Sequence, residues 1–276
     1  MFDFTYFNKI DTHAKAYSLG LLYADGNVHK DVLQICLKDN QPIEFLKKQL
    51  QSSNKILIDR QYSRISFAKK GFALELAKVG LLPCKSHNLL FPSEDIVPIE
   101  FVHSFMLGYF DGDGCIQRYK PAGSKNYKWQ FSIISSKEFC ESYLDILIKT
   151  CNLPMLRLIP TKKSYNIFEI KVCGVFVDRA KDIFKFLYSD APFYLERKRK
   201  IFEEIVCGPI SNSKRHYKGV FKASPSSYCA RISWRTKDGK KHQKHLGAFS
   251  TEKEAAIAYN TAATEMKGER ACLNYV

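Results

Sequence analysis

Apolar and polar positions trace one plan twice over about the first 210 residues. A helical period over about 12–25 precedes strand-like alternation near 27–37, and a helix follows from Gln41 to about Gln51. Strands around "KILID" and "YSRISFA" and a helix at "FALELAKVG" complete the first copy. The second copy keeps that order, with a helix at about 99–113, strands near 115–119 and 128–135, and a helix at "KEFCESYLDILIKT". Strands around "MLRLIP" and "NIFEIKV" follow, then helices from Val175 onward, with Ile183, Phe186 and Leu187 at helical spacing. The alternation in "NIFEIKV" predicts a sheet with one buried face. Prolines and polar breaks in "LLPCKSHNLLFPSEDIVPIE" mark a linker between the copies, and "CGPISNSKRH" marks a second break.

The remaining segment starts with three strand-like stretches whose turns are signalled by Ser-Pro-Ser and Lys-Asp-Gly. Ser250 or Thr251 then offers a cap to an alanine-rich helix, on which Ala255, Ala258 and Ala262 fall along one face. Three domains are expected, at 1–95, 96–208 and 209–276.

Composition adds a partner class. The chain has 43 Lys+Arg against 28 Asp+Glu, a net +15, which favours a polyanion, nucleic acid before an anionic membrane. Residues 211–276 hold 13 Lys+Arg and 5 Asp+Glu, so more than half of that excess sits in the last quarter of the chain. The 20 Phe and 15 Tyr suffice for cores, so disorder is not expected. The opening "MFDFTYFNKID" lacks the pattern of a signal peptide, and no apolar run approaches the ~18 residues of a membrane span. A soluble protein of a reducing intracellular compartment is expected. The nine cysteines, odd in number and without a C-x-x-C pair, read as reduced core thiols rather than zinc ligands.

The candidate chemistry lies where the first helix of each copy ends, in "SLGLLYADGNV" (18–28) and "MLGYFDGDGCI" (106–116). Residues four apart share a helix face, so Gly20 with Ala24 and Gly108 with Gly112 form matching strips of small residues. Such strips let two helix backbones come close. Side-by-side pairing about a pseudo-two-fold axis would bring together Asp25 and Asp113, each followed by the glycine that commonly ends a helix. Two carboxylates at the negative ends of two helix dipoles repel unless a cation sits between them. Hard oxygen ligands with open positions suit Mg²⁺ better than zinc. On a basic protein this points to metal-assisted phosphodiester hydrolysis. The overlapping "DGDGCIQRYKPA" does not fit a calcium loop, because Ile116 replaces the required Gly and Ala122 the bidentate Glu.

Both stretches resemble the LAGLIDADG motif of homing endonucleases, "SLGLLYADG" and "MLGYFDGDG" each filling its nine positions. Two copies resemble the monomeric, pseudo-symmetric class, over about residues 1–208, including "FNKIDTHAKAYSLGLLYADG" and "FLYSDAPFYLERKRKIF". The resemblance implies an α+β fold of two αββαββα halves, with saddle-shaped antiparallel sheets over double-stranded DNA. It implies a site-specific double-strand endonuclease of intron or intein mobility that uses Mg²⁺, two or more divalent ions, with Mn²⁺ or Ca²⁺ as substitutes in vitro. By position, Asp25 and Asp113 become the metal-binding acids, with the carbonyls of Ala24 and Gly112 as further ligands. Lys85 and Lys198 match lysines that organise the attacking water. Lys38 matches a polar strand-end position where the second half has Ser135 or Ser136. At the sixth motif position Tyr23 stands against Asp111 in the other copy, away from the metal-binding position. An RNA-splicing maturase and a non-cleaving DNA-binding regulator are alternatives on the same scaffold.

The tail resembles the APETALA-type (ethylene-response factor) DNA-binding domain in "YKGV", "ARI", "LGAF", "EAAIAYNTAA" and "LN". That resemblance implies a three-stranded sheet and one helix, with the sheet in the major groove. The matching DNA-contacting positions are Lys218, Lys222, Arg231, Ser233, Arg235, Gln243 and His245. Tyr228 and His245 occupy common Trp positions of that family, so its preferred sequence is not carried over.

Overall fold

The computed structural model describes residues 2–123, 127–151, 153, 155–161, 165–174, 177–207, 217–236, 238, 240–267, 271, 273 and 274. The chain forms two compact units, one of residues 1–151 and 157–208, the other of 152–156 and 209–276.

In the first unit the duplicated plan is realised as α1 (His13–Asp25), β1 (Gly26–His29), β2 (Val32–Leu37), α2 (Gln41–Gln49), β3 (Leu57–Asp59), β4 (Tyr62–Ala68) and α3 (Phe72–Lys78). Its twin is α4 (Val102–Asp113), β5 (Cys115–Tyr119), β6 (Lys128–Ser136), α5 (Lys137–Thr150), β7 (Ile159–Pro160), β8 (Ile167–Gly174), α6 (Asp178–Tyr188) and α7 (Glu196–Cys207). Each copy builds an antiparallel four-stranded sheet of the same order, β1-β2-β4-β3 and β5-β6-β8-β7. The first strand of each copy pairs with the second from the residues just after the helix, with Asn27 opposite Gln34 in one copy and its counterpart Cys115 opposite Ser132 in the other. The fold is thus α+β with twin antiparallel sheets.

Local chemistry sets the helix starts. Thr12 caps α1, its hydroxyl accepting from Lys15 N–H at 3.3 Å, and Ser136 caps α5, accepting from Phe139 N–H at 3.3 Å. Gly26 and Gly114 follow the helix ends as expected, but not in the left-handed cap conformation. Both are extended, at φ −71 and −78. Glycine is needed there because a Cβ would collide with the preceding turn, at the Leu22 and Phe110 carbonyls.

α1 and α4 pack backbone to backbone. A Cβ added at Gly20 would overlap the Phe105 carbonyl oxygen, and one at Gly108 the Tyr17 carbonyl oxygen. Fully buried aromatics surround this contact, among them Tyr17, Tyr23, Phe105, Tyr109, Phe110 and Phe139.

Three expectations need correction. The segment between the copies is no loose linker: Leu81, Leu89 and Val97 are buried, and the Leu89 carbonyl accepts a hydrogen bond from Ser136. Of "MLRLIP", only Ile159 and Pro160 form a strand. Cys140 and Cys151 are buried thiols, but Cys36, Cys84, Cys115 and Cys173 are exposed. Cys36 and Cys173 take outward positions on half-buried strands, so alternation rather than polarity exposes them. Val175 and "GPISNSKRH" lie outside the described residues. No helix among the described residues is long and apolar enough to cross a membrane.

The second unit has β9 (Val220–Ser224), β10 (Ser227–Arg235), β11 (Lys241–Phe249) and α8 (Glu252–Lys267), in sheet order β11-β10-β9. Ser-Pro-Ser turns β9 into β10, whereas Lys237 and Gly239 of the next turn lie outside the described residues. Thr251 and Glu254 cap α8 reciprocally: the Glu254 N–H donates to Thr251 Oγ1 at 3.2 Å, and the Thr251 N–H to Glu254 Oε2 at 3.1 Å. The buried face of α8 centres on Ala255, Ala256, Tyr259 and Ala263 against Val220, Ala230 and Ile232. Ala258 and Ala262 flank that face, a small rotation from the expected one.

The backbone contact of α1 with α4 leaves no room for a methyl group. Gly20→Ala should therefore cost about 2–3 kcal/mol of stability or prevent folding, read as the midpoint of urea unfolding. An unchanged midpoint would mean that the interface has slack and does not hold the two copies together.

Candidate active site and DNA-facing surface

The paired helices deliver their last residues to one place. Asp25 Oδ2 is buried beside Gly112, where a Cβ would overlap it. Among the described residues this oxygen has no hydrogen-bond partner. Burial and, after it, the Asp113 charge raise the Asp25 pKa to about 7 against the pull of Lys85 and Lys198. Asp113 is raised as well, chiefly by burial, against Lys85, Lys198 and a hydrogen bond from Tyr109. Each carboxylate therefore lies in the field of the other, with two cations facing both.

Those cations come from the ends of the two copies. The Lys85 Nζ donates to the Ala24 carbonyl at 3.1 Å, held by a short 3₁₀ turn, Lys85–His87, of the inter-copy segment. Lys198, on α7, is 3 % exposed. Its Nζ donates to the carbonyls of Phe110 at 2.6 Å, Asp111 at 2.9 Å, Gly112 at 3.3 Å and Gly114 at 2.5 Å. A cation at this place adds donors to the carbonyls at the end of α4, of which Phe110 also accepts from the Gly114 N–H at 2.9 Å, and opposes the helix dipole. Burial lowers both lysines against the pull of the nearby carboxylates, leaving Lys198 at about 8. The carbonyls of Ala24 and Gly112 thus accept from one lysine each, and each keeps a second lone pair.

Lys38 is not brought to this site. It lies exposed one residue beyond β2, and the cations acting on the two acids are Lys85 and Lys198. Carried over by strand register, Lys38 corresponds to Ser136 of the second copy, which instead caps α5.

Two neighbours of the site carried little sequence signal. Asp111 is buried, and its Oδ2 accepts from the Tyr17 hydroxyl at 2.9 Å and the Leu195 N–H at 2.8 Å. Burial raises it to about 6. In the other copy Tyr23 donates its hydroxyl to the Val79 carbonyl at 2.7 Å. Both sixth-position residues therefore fasten their helix to the end of a copy, Asp111 to the turn before α7 and Tyr23 to the residue after α3. Tyr109 holds Ser135, its hydroxyl 2.9 Å from Ser135 Oγ.

In the second unit, direct cross-strand pairing sets Arg231 opposite His245 and Ser233 opposite Gln243. Ala230 and Ile232 point to α8, so these four occupy the other face, where all are exposed. Arg231 Nη1 lies 3.5 Å from Gln243 Oε1. Arg235 pairs with Lys241 at the end of the same strands. Lys222 pairs with Tyr228, which packs towards α8. Lys222 is thus exposed at the rim of the helix-covered face, its Nζ 6.0 Å from the Tyr228 ring centroid. Lys218 precedes β9, and its backbone N–H donates to Asn274 Oδ1 at 2.7 Å.

The raised acid has a consequence for stability. The folded chain binds the Asp25 proton more tightly than the unfolded chain, so this group's stabilising contribution is complete below about pH 4 and is lost as pH rises through about 7. In chelator at pH 8, Asp25→Asn should be more stable than the parent by ~1–3 kcal/mol, and the gain should vanish near pH 4. Urea unfolding at the two pH values measures this. A loss at both would show that the lysines outweigh burial.

No family model matches the chain. Among solved structures, the LAGLIDADG homing endonuclease I-GzeII in complex with its DNA target superposes with a TM-score of 0.50 at 11% identity, over 69% of this chain and 87% of that one. The LAGLIDADG homing endonuclease I-LtrWI bound to target DNA gives 0.49 at 14% identity, over 70% and 88%. The meganuclease I-CpaMI bound to uncleaved DNA gives 0.46 at 13% identity, over 70% and 90%. At these identities the likeness is one of architecture: this chain is built on the fold of LAGLIDADG homing endonucleases.

Proposed function

We propose that this chain is a site-specific double-strand DNA endonuclease of the LAGLIDADG homing type, acting as a monomer with Mg²⁺. The observation that carries this reading is the Asp25–Asp113 pair at the ends of two duplicated helices, with Asp25 Oδ2 buried and without a hydrogen-bond partner among the described residues. A structural acid would find donors, whereas an orphaned carboxylate oxygen beside a second carboxylate suits a divalent cation. The donor set fits: Asp25, Asp113 and the free lone pairs of the Ala24 and Gly112 carbonyls are all hard oxygens. When bound, Mg²⁺ would offset the mutual repulsion of the acids and supply Lewis-acid chemistry at a phosphodiester.

The chain's own residues carry the rest. Asp25 and Asp113 come from different copies, so a single chain presents one acid for each strand of a duplex. Lys85 and Lys198 hold positive charge beside them, where an anionic phosphate must approach. Of the two, Lys198 has its donors committed to four carbonyls, while Lys85 has one such bond and keeps donors for an attacking water. Lys38 would act, if at all, on DNA outside this centre. The net charge of +15 supplies the attraction to the polyanion.

The second unit serves, in the same proposal, as an accessory DNA-binding module of the APETALA type. Arg231, Ser233, Gln243 and His245 form its reading face, and Arg235 extends it. Lys218 and Lys222 lie off that face and would meet phosphate rather than base edges. Joining two binding modules raises avidity when both parts of the site lie within reach.

Asp25→Asn and Asp113→Asn should each lower the rate of Mg²⁺-dependent cutting by at least about a hundredfold with DNA binding retained. The substrate is the uninterrupted version of the gene's own insertion locus. Cutting that survives both changes would take the chemistry away from these acids, and absence of cutting by the parent would remove the nuclease reading. A preference for structured RNA that survives both changes would replace it with a maturase. Arg231→Gln should weaken DNA binding and reduce the slope of log affinity against log salt by about 0.9. An unchanged slope would take Arg231 off the DNA.

A further inference from the structure

The ends of α1 and α4 remote from the two aspartates carry another group of ligating side chains. His13 opens α1, His103 is the second residue of α4, and Asp190 follows α6 in the turn before α7. One ligand atom from each lies within 4.8 Å of the others. Among the described residues this is the one such group of three His, Cys, Asp or Glu.

Several observations distinguish this cluster from ordinary aromatic packing. The two imidazoles lie 5.0 Å apart, tilted by 49°. His103 Nε2 is buried and has no hydrogen-bond partner among the described residues. A buried imidazole nitrogen left without a partner costs about 1–3 kcal/mol. His13 Nδ1 sits 3.0 Å from the hydroxyl of fully buried Ser104, an outer contact of the kind that fixes the ring and its tautomer around a metal. Burial and His13 lower the His103 pKa, against Asp190 and a hydrogen bond to the Ser189 backbone. Asp190 stands at φ 49, a left-handed conformation that Asp tolerates.

The donor set selects the ligand. An anion would suit two helix N-termini, but the Asp190 carboxylate opposes it. A cation must overcome the positive ends of those helices, and that same carboxylate offsets them. Two neutral imidazoles and one carboxylate are a poor set for Mg²⁺ or Ca²⁺, which take oxygens, and a good one for zinc, with water in the fourth position. Tetrahedral zinc spaces its ligand atoms by about 3.3 Å. The spread of up to 4.8 Å must therefore contract, and Asp190, which is exposed, is the side chain free to swing in.

We propose that His13, His103 and Asp190 form a zinc site that ties the starts of α1 and α4 to the turn after α6. It steadies the helix pair at the end opposite to the acids. This proposal stands independently of the nuclease reading.

The test titrates Zn²⁺ into the full, metal-stripped chain against a chromophoric chelator, with Co²⁺ as the spectroscopic probe. One equivalent should bind, with a tetrahedral Co²⁺ band in the visible, and saturating Zn²⁺ should raise Tm by about 5–10 °C. His13→Asn/His103→Asn and Asp190→Asn should each lose at least about tenfold in affinity. Asp25→Asn/Asp113→Asn should titrate like the parent, which separates this site from the active site. If the double histidine variant fails to fold, Asp190→Asn, on an exposed turn, decides alone. No stoichiometric zinc in the parent, or zinc bound with unchanged affinity in these variants, overturns the proposal. The latter result would assign the metal to the exposed thiols of Cys36, Cys84, Cys115 or Cys173.

Discussion

The contact of α1 with α4 through Gly20 and Gly108 is the constraint from which the first unit follows. With no side chain at these positions, each helix rests on the other's backbone at the Tyr17 and Phe105 carbonyls. The helices then cannot slide, because residues one turn away carry large aromatics that fill the surrounding core. Their ends are fixed with them. Gly112 continues the strip and admits Asp25 Oδ2 to the space its missing methyl would occupy. The position of the acids is therefore a property of the interface and not of the loops that follow it.

Placing two carboxylates at two negative helix ends is unfavourable, and the rest of the fold is arranged around that cost. Lys85 and Lys198 reach the site from the closing segments of the two copies, and each donates to the carbonyl just before an aspartate. The compensation is unequal. Lys198 clamps four carbonyls of the α4 terminus and is almost wholly buried, whereas Lys85 makes one such bond. Asp111 takes part in the same asymmetry: it accepts from Leu195, three residues before Lys198, and so fastens the start of α7. Tyr23 does the matching work in the first copy through Val79. One structural task is met by an acid in one copy and a phenol in the other. The repeat is thus symmetric in topology and divergent in chemistry.

Much of this was legible in the sequence because it depends on period and on small residues. The α5 boundaries coincide with the amphipathic run "KEFCESYLDILIKT", and the twin glycine strips are what bring Asp25 and Asp113 together. Partners chosen by tertiary packing were not legible. Lys38 reads like a site residue from its place at a strand end, yet the first copy has three further residues between β2 and α2 and leaves it exposed. "LLPCKSHNLLFPSEDIVPIE" reads as a linker from its prolines, but its Leu81, Leu89 and Val97 are buried and its Lys85 reaches the acids. His13, His103 and Asp190 are spread over most of the first unit's sequence, with no spacing that signals a cluster. Only the side-by-side pairing of α1 with α4 makes the two histidines neighbours.

The helix pair therefore works as a rigid rod about 18 Å long with ligating groups at both ends. At one end are hard oxygens near negative dipoles, at the other nitrogens near positive ones. These fields act oppositely on cations: the C-terminal end draws them in, while the N-terminal end repels them and needs Asp190 to balance. A cation held at either end would grip both helices, since each helix supplies only one ligating side chain there. The glycine contact leaves no room for separation or sliding, so each end keeps its geometry whether or not the other is occupied.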